Sequence, residues 1–271
     1  MTLYQILYYF TIYAVLGWCL EVAAHVVTLG KFVNRGFLNG PVCPIYGFGA
    51  TLVIWCLLPL RENLPVLFLA SAVLTTALEL VTGFLLERLF QTRWWDYSDR
   101  PFNFKGYICL LYSLAWGAAC VVVVRVIHPA IATAVSWIPH TLGIILISMI
   151  MALFLCDLWV TVTSVRALNR HLAEMEQVAA DLKELSDAMG GRIYQQMTKA
   201  IQLKDQAEEK AQQQKQELTE EWKQRQAEIQ AKWDQLELGW RHKRLIKAFP
   251  HMKSFRYTKA LERLRDRLIK K

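Results

Sequence analysis

The sequence predicts an all-α polytopic membrane protein, with about five spans followed by a long cytoplasmic coiled-coil-like helix. Three observations carry that expectation. Apolar runs of membrane length fill the chain up to about Arg166, charged residues crowd the last hundred positions, and residues 17–46 recur without a gap at 83–112. The chain is 54% hydrophobic with a mean hydropathy of +0.22, so its two parts read as segments suited to different solvents.

The first copy of the repeat carries Gly17, Trp18, Leu20, Glu21, Gly40, Cys43 and Tyr46. The second carries Gly83, Phe84, Leu86, Glu87, Gly106, Cys109 and Tyr112. Each copy begins near the end of one apolar stretch and finishes inside the next, giving two-helix repeats near 15–60 and 81–128. Two crossings restore the original direction, so the copies are expected to be parallel, related by an axis along the membrane normal. Glu21 and Glu87 then sit at equivalent depths.

The membrane part, residues 1–166, offers Tyr4 to Val27, Tyr46 to Leu60, Leu64 to Phe90, Tyr107 to His128 and Leu142 to Val165. Most approach or exceed the ~20 residues that cross a hydrocarbon core. The second is short and is expected to borrow an irregular, partly buried stretch from Pro41 to Ile45. Lys31, Arg35, Arg88, Arg93, Arg100 and Lys105 follow the first and third spans, against Arg61 and Arg125 elsewhere. That bias puts the N-terminus outside and the tail in the cytoplasm of a multi-pass plasma-membrane protein. No cleavable signal peptide is expected, because no basic residue precedes the first apolar run. All six cysteines fall in the membrane part without metal-type spacing and read as reduced packing residues, with no metal site.

Residues 167–240 change pattern. Met175, Val178, Leu182, Leu185 and Met189 alternate as a coiled-coil seam, and Trp222, Ile229 and Leu236 recur every seven residues. Gly190 and Gly191 predict a break between them. From Arg241 to Lys271 twelve Lys or Arg stand against Glu262 and Asp266, a local net of +10 in a chain of +8. With Leu261, Leu264, Leu268 and Ile269 on one face, this final segment predicts a basic amphipathic helix. Its partner is expected to be the anionic lipid surface, at about 1 kcal/mol per basic residue near the membrane. Nucleic acid is the weaker alternative, since no recognition motif accompanies the charge.

Chemistry is expected where the two connectors meet the repeated spans. The first brings Arg35 and Asn39 to the interface, with Tyr46 behind; the second brings Asp96, Tyr97, Ser98, Asn103 and Lys105. Glu21 and Glu87 stand near the ends of their helices, and Glu79 lies about half-way through the third span, opposite Tyr13 in the first repeat. A carboxyl at that depth costs about 2.5–3.5 kcal/mol on insertion scales, so it faces protein or a water-filled cavity. Each acid also has a structural reading. Glu21 and Glu87 pair with Arg35, Arg88 or Lys105, and Glu79 and Asp157 are satisfied by Thr75, Thr82, Thr161 or Thr163. Trp94, Trp95 and Tyr97 read as an interfacial aromatic belt.

The chain lacks a phosphate-binding G-x-x-x-x-G-K-[ST] loop, an H-E-x-x-H helix, a G-x-S-x-G elbow and a paired-Cys motif. It has no recognisable means of hydrolysing nucleotide, and enzymatic activity is not the leading expectation.

The run Asn34-Arg35-Gly36-Phe37-Leu38-Asn39-Gly40-Pro41, with Pro44-Ile45-Tyr46-Gly47, carries a resemblance. So do Trp95-Asp96-Tyr97-Ser98, Pro101-Phe102-Asn103 and Gly106, together with Glu21 after Gly17-Trp18. Over roughly residues 5–125 they resemble a bacterial inner-membrane family described as putative type IV ABC transporter membrane proteins. The resemblance implies a permease-like or transport-associated subunit, with a polar cavity open to the cytoplasm and a separate ATPase subunit. Two alternatives stay open. One is a membrane-embedded enzyme or lipid-headgroup-handling protein gripping phosphate through Arg35, Asp96, Tyr97, Ser98 and Lys105; the other is a membrane anchor for a coiled coil, paired with a second copy or another chain.

Overall fold

Helix α1 (Leu3–Leu29) starts at a capping box, in which Gln5 N–H donates to the Thr2 hydroxyl and Thr2 N–H to the Gln5 side chain. It stops at Gly30, whose φ of 66° suits a residue without Cβ. Its 27 residues span about 40 Å, more than the ~30 Å hydrocarbon core. The computed structural model describes residues 1–202, 220, 223–225, 227, 228, 231 and 239–269.

Helix α2 (Pro44–Leu57) opens with proline, whose missing N–H costs nothing in the first turn, and closes in a 3-10 turn, Leu58–Leu60. Helix α3 (Leu64–Phe90) is capped by the Asn63 side chain, which accepts from Val66 N–H at 3.3 Å. Helix α4 (Leu110–Val122) runs through a π turn, Val123–Ile127, into α5 (His128–Ser136). Pro129 cannot donate back to the Arg125 carbonyl, which accounts for the irregular turn just before it. Helix α6 (His140–Gln202) is 63 residues long.

Leu3–Thr28, Leu64–Phe90, Leu110–Ser136 and His140–Arg192 are long and apolar enough to cross a membrane; Pro44–Leu60 is shorter. Two sequence expectations are thereby corrected. The fourth apolar helix runs to Ser136 rather than to His128, and the second is not a full-length span. The second falls short because the chain after α1 turns back along the bundle before helix resumes. Cys43 N–H donates to the Ala14 carbonyl at 3.0 Å, half-way along α1. The Tyr46 ring lies on Gly17, and Gly47 lies on Phe10. Helix α4 starts at a comparable point of its own partner. Gly117 packs on Phe68 and Ala72, so Leu110, about two turns earlier, begins near Glu79. The irregular stretch ahead of Ile45 is real, and Leu38 and Cys43 within it are buried.

The chain then folds back on itself. Helices α7 (Trp240–Ala248) and α8 (Thr258–Ile269) pack on α6 where it leaves the apolar bundle. Leu245, Ile246, Leu261 and Leu264 share one core with Val165, Leu168, Leu172 and Met175 of α6 and with Phe90 and Trp94. Strand β1 (Thr92–Arg93) pairs antiparallel with β4 (Lys253–Ser254), and β2 (Asn103–Phe104) with β3 (Ile108–Cys109).

That core corrects four further expectations. The apolar face of the basic C-terminal helix is buried on α6 through Leu261 and Leu264, with Leu268 beside them, and is not left for a lipid surface. The start of the predicted coiled-coil seam, Met175 and Val178, is covered by the chain's own tail. Trp94 is in that core and Trp95 lies on Gly83, so neither forms an interfacial belt. Helix α6 continues through Gly190 and Gly191 without the expected break, because backbone hydrogen bonding tolerates glycine at a cost of only about 1 kcal/mol. Trp222, Ile229 and Leu236 lie outside the described residues.

A methyl group at Gly17 would stand 2.2 Å from Tyr46 Cγ, whereas one at Gly191 meets nothing within 4 Å. Gly17→Ala should therefore destabilise by about 1–3 kcal/mol, and Gly191→Ala should stabilise by about 0.5–1 kcal/mol. Thermal unfolding of the detergent-solubilised protein checks both signs.

Candidate functional site

Connector 1, residues 30–43, and connector 2, residues 91–109, fill the space beside the second halves of α1 and α3. Irregular backbone at that depth survives only if protein groups satisfy it. In connector 1 the Asn34 side chain does so locally, accepting from Gly36 N–H at 3.0 Å and donating to the Asn39 carbonyl at 2.8 Å. Trp18 Nε1 also donates to Asn34 Oδ1, at 2.7 Å. Asp157 of α6 supplies the long-range anchor. Its Oδ1 accepts from Asn39 N–H at 3.2 Å and Asn39 Nδ2 at 2.8 Å, and its Oδ2 from Gly40 N–H at 2.7 Å. Thr161 completes the set by accepting from Asn39 Nδ2 at 3.1 Å and donating to Asp157 Oδ1 at 3.4 Å.

Connector 2 is built around Asp96 and Asn103. Asn103 Nδ2 donates to the Ser98 and Arg100 carbonyls, and its Oδ1 accepts from Gly106 N–H. Gly106 has φ of 73°, and a Cβ there would lie 2.4 Å from Asp96 Oδ1. Asp96 accepts from Ser98 N–H and hydroxyl and from Lys253 Nζ, the last at 2.6 Å. Burial pushes the Asp96 carboxyl up, but the Lys253 ammonium and the Ser98 donors outweigh it and hold the group down at about 2.

The acids behind the connectors form two clusters. Glu21 Oε1 accepts from the Tyr46 hydroxyl at 2.6 Å, and Arg35 lies 3.6 Å from its Oε2. Glu79, only 9% exposed, accepts through Oε1 from the Tyr97 hydroxyl at 3.1 Å. Its buried Oε2 has no hydrogen-bond partner among the described residues. Tyr97 stacks near Tyr112, with ring centroids 4.8 Å apart, and Tyr46 meets Trp116 at 5.5 Å. Glu21–Tyr46 and Glu79–Tyr97 are thus two carboxyl–phenol pairs, one in each helix pair, whose rings both rest on α4. Glu87 is drawn aside by Arg93, whose Nε is 3.0 Å away and whose guanidinium lies over the Tyr107 ring.

Of the residues expected to form a site, Glu21, Arg35 and Tyr46 form one cluster and Glu79 and Tyr97 another. Asn39, Asp96, Ser98 and Asn103 are engaged in holding the connectors. Lys105 is exposed, its ammonium 5.8 Å from the Phe104 ring centroid, and does not join them. Glu87 pairs with Arg93 rather than with Arg88 or Lys105, and the partner of Glu79 is a phenol rather than a threonine. Thr75 donates to its own helix at Ser71 and Ala72. Sequence reasoning missed the tail's part. Arg244 donates to the Gly36 and Phe37 carbonyls at 2.9 and 3.0 Å, and Arg35 donates in turn to the Ala248 carbonyl. Asp157 meets one of its expected threonines, Thr161, while its amide donors come from connector 1; nothing local singles out Arg244 or Lys253 among the tail's cations.

Two apolar grooves stand out. One of about 440 Å³ is lined by Cys56, Leu69 and Val73, and one of about 220 Å³ runs between Phe10, Leu38 and Phe154 with Asp157 at its wall. Among the described residues no group of three or more His, Cys, Asp or Glu is arranged to hold a metal ion.

The docked tail carries a pH dependence. His242 of α7 faces His171 of α6, with ring centroids 5.4 Å apart, and Arg241 is its other cationic neighbour. Burial above all, then His171 and Arg241, pull the His242 imidazole below its usual value, against a hydrogen bond to the Ser164 backbone. A depressed histidine favours the docked form while neutral, so docking is full above ~6.5 and weakens as pH falls below it. Asp96 adds a second loss between ~3.8 and about 2. Limited proteolysis of the tail should therefore be faster at pH 5.5 than at pH 7.5, and His242→Gln should flatten that difference.

The chain matches the model of the family described as "Putative ABC-transporter type IV" over residues 8–162. No curated protein and no solved structure matches it. The match spans both connectors, both carboxyl–phenol pairs and Asp157. It takes in more than half of the 271 residues, and the chain belongs to that family.

Proposed function

We propose that the chain is the membrane subunit of a transport system, with its substrate-binding locus at the carboxyl–phenol pairs Glu21–Tyr46 and Glu79–Tyr97. In this reading the two helix pairs α1–α2 and α3–α4 are parallel repeats. The N-terminus lies outside, and the connectors and tail face the cytoplasm of a bacterial inner membrane. Family membership supports the transport class. The geometry supports the locus. Helices α2 and α4 both begin half-way along their partners, with Cys43 and Cys109 as extended N-cap residues. Positive helix N-termini ending near mid-bundle, beside acidic and phenolic groups, form the kind of polar midplane site that broken helices build in transporters.

The observation that carries the reading is Glu79. Its carboxylate is buried in an apolar helix with one oxygen bound by Tyr97 and the other without a partner. A buried carboxyl oxygen without a partner at that depth is costly and points to a functional group. Access requires the connectors and docked tail to move apart, opening a polar cavity towards the cytoplasm. With no nucleotide-hydrolysis motif in this chain, a separate ATPase subunit supplies the energy. Within residues 167–240, the part beyond the tail-covered Met175, Val178 and Ala179 is the segment that pairs with a second copy or another chain.

Thermal unfolding in detergent against a panel of cations, nucleotides and lipid headgroups tests the locus. A ligand should raise the wild-type midpoint by several degrees, and Glu79→Gln should abolish that shift while leaving the ligand-free protein folded. Tyr97→Phe should reduce it. A shift retained in full by Glu79→Gln and Glu21→Gln would make the two pairs purely structural.

A further inference from the structure

The β2–β3 hairpin of connector 2 has exposed residues that neither packing nor the polar site uses. Phe102 is 82% exposed and Phe104 53% exposed. Phe102 and Lys105 hold φ of 52° and 51°, in the left-handed region that bulky side chains rarely occupy. A large aromatic residue that is both strained and open to water points to a contact outside the chain. The open end of the hairpin is also continuous with the apolar outer surface of the bundle. Phe102 O accepts from Leu110 N–H at 3.3 Å, and Leu110 and Leu111 are exposed. Arg88, Arg100 and Lys105 are exposed cations on α3 and connector 2, where Asp99 is the one exposed acid among the described residues. Phe255 adds a further aromatic, its ring under the Arg93 guanidinium.

We infer that the segment from Arg100 to Lys105 is an anionic-lipid anchor: Phe102 and Phe104 enter the interfacial layer of the bilayer, and Arg100 and Lys105 hold phosphate-bearing headgroups. Aromatic rings settle at that depth because one end of the layer is apolar and the other wet. Cations at its edge gain from a negatively charged leaflet. The lipid contact expected of the C-terminal helix thus falls to connector 2, since the apolar face of that helix is already covered by α6. The anchor would hold the hairpin in place relative to Tyr97, whose N–H donates to the Gly106 carbonyl in the turn of the same hairpin. It stands whether or not the chain transports anything.

The test uses the full chain in detergent micelles, titrated with phosphatidylglycerol or phosphatidylcholine and followed by native mass spectrometry. Wild type should bind phosphatidylglycerol more tightly. Removing Arg100 and Lys105 as Arg100→Gln and Lys105→Gln should weaken phosphatidylglycerol binding about fivefold per cation and leave phosphatidylcholine unchanged. Phe102→Ser should weaken both lipids, and Lys105→Arg should retain wild-type binding, which separates charge from folding. Unchanged phosphatidylglycerol binding in the double Gln variant, or equal binding of the two lipids by wild type, would overturn the proposal. So would displacement of the lipid by millimolar inorganic phosphate, which would indicate a site for free anion.

Discussion

Backbone that turns back into a membrane bundle must find all its hydrogen bonds inside the protein, and Asp157 meets that demand for connector 1. Its two oxygens collect the Asn39 and Gly40 amides and the Asn39 side chain, with Thr161 bridging. An amide left unsatisfied in such surroundings costs several kcal/mol. This grip lets helix α2 start beside Ala14 rather than at the far end of α1, and the late start brings Tyr46 onto Gly17 with its hydroxyl on Glu21. Connector 2 solves the same problem from within, through Asn103, Asp96 and the left-handed Gly106.

The tail is the second layer of that solution. Carbonyls that connector 1 cannot satisfy itself, at Gly36 and Phe37, are taken by Arg244, and connector 2 is tied down by the β1–β4 pair and the Lys253–Asp96 contact. Helix α6 carries both Asp157, which holds connector 1, and Met175, which holds the tail core. A single continuous helix therefore links the polar site to the segment that leaves the membrane. Any shift of α6 along its axis would load both connectors, a physical route by which a partner of the long helix could bias the site.

The carboxylates divide by how completely they are paired. Glu87 and Asp96 each face a cation at 3.0 Å or less, and Asp157 is surrounded by donors. These pairs account for much of the polarity that the connectors bring to the bundle, and they explain why a polar loop can be structural. Glu79 differs because its helix offers it no cation and its only donor comes from a connector.

Hydropathy and composition alone determined the all-α membrane class and the apolar segments that become its helices. These are legible because apolar length is a local property of the chain. The short second helix was legible only as an irregular start, since its length depends on where Cys43 meets Ala14. Tertiary structure decided the partners. Whether Trp94 faces lipid or core, whether Leu261 and Leu264 meet a bilayer or α6, and whether Met175 awaits another chain all depend on contacts between distant segments. An amphipathic face states that it will be buried and not against what. The identity of its cover, like the pairing of Arg244 with the Gly36 and Phe37 carbonyls across some two hundred residues, is settled only when the chain has folded back on itself.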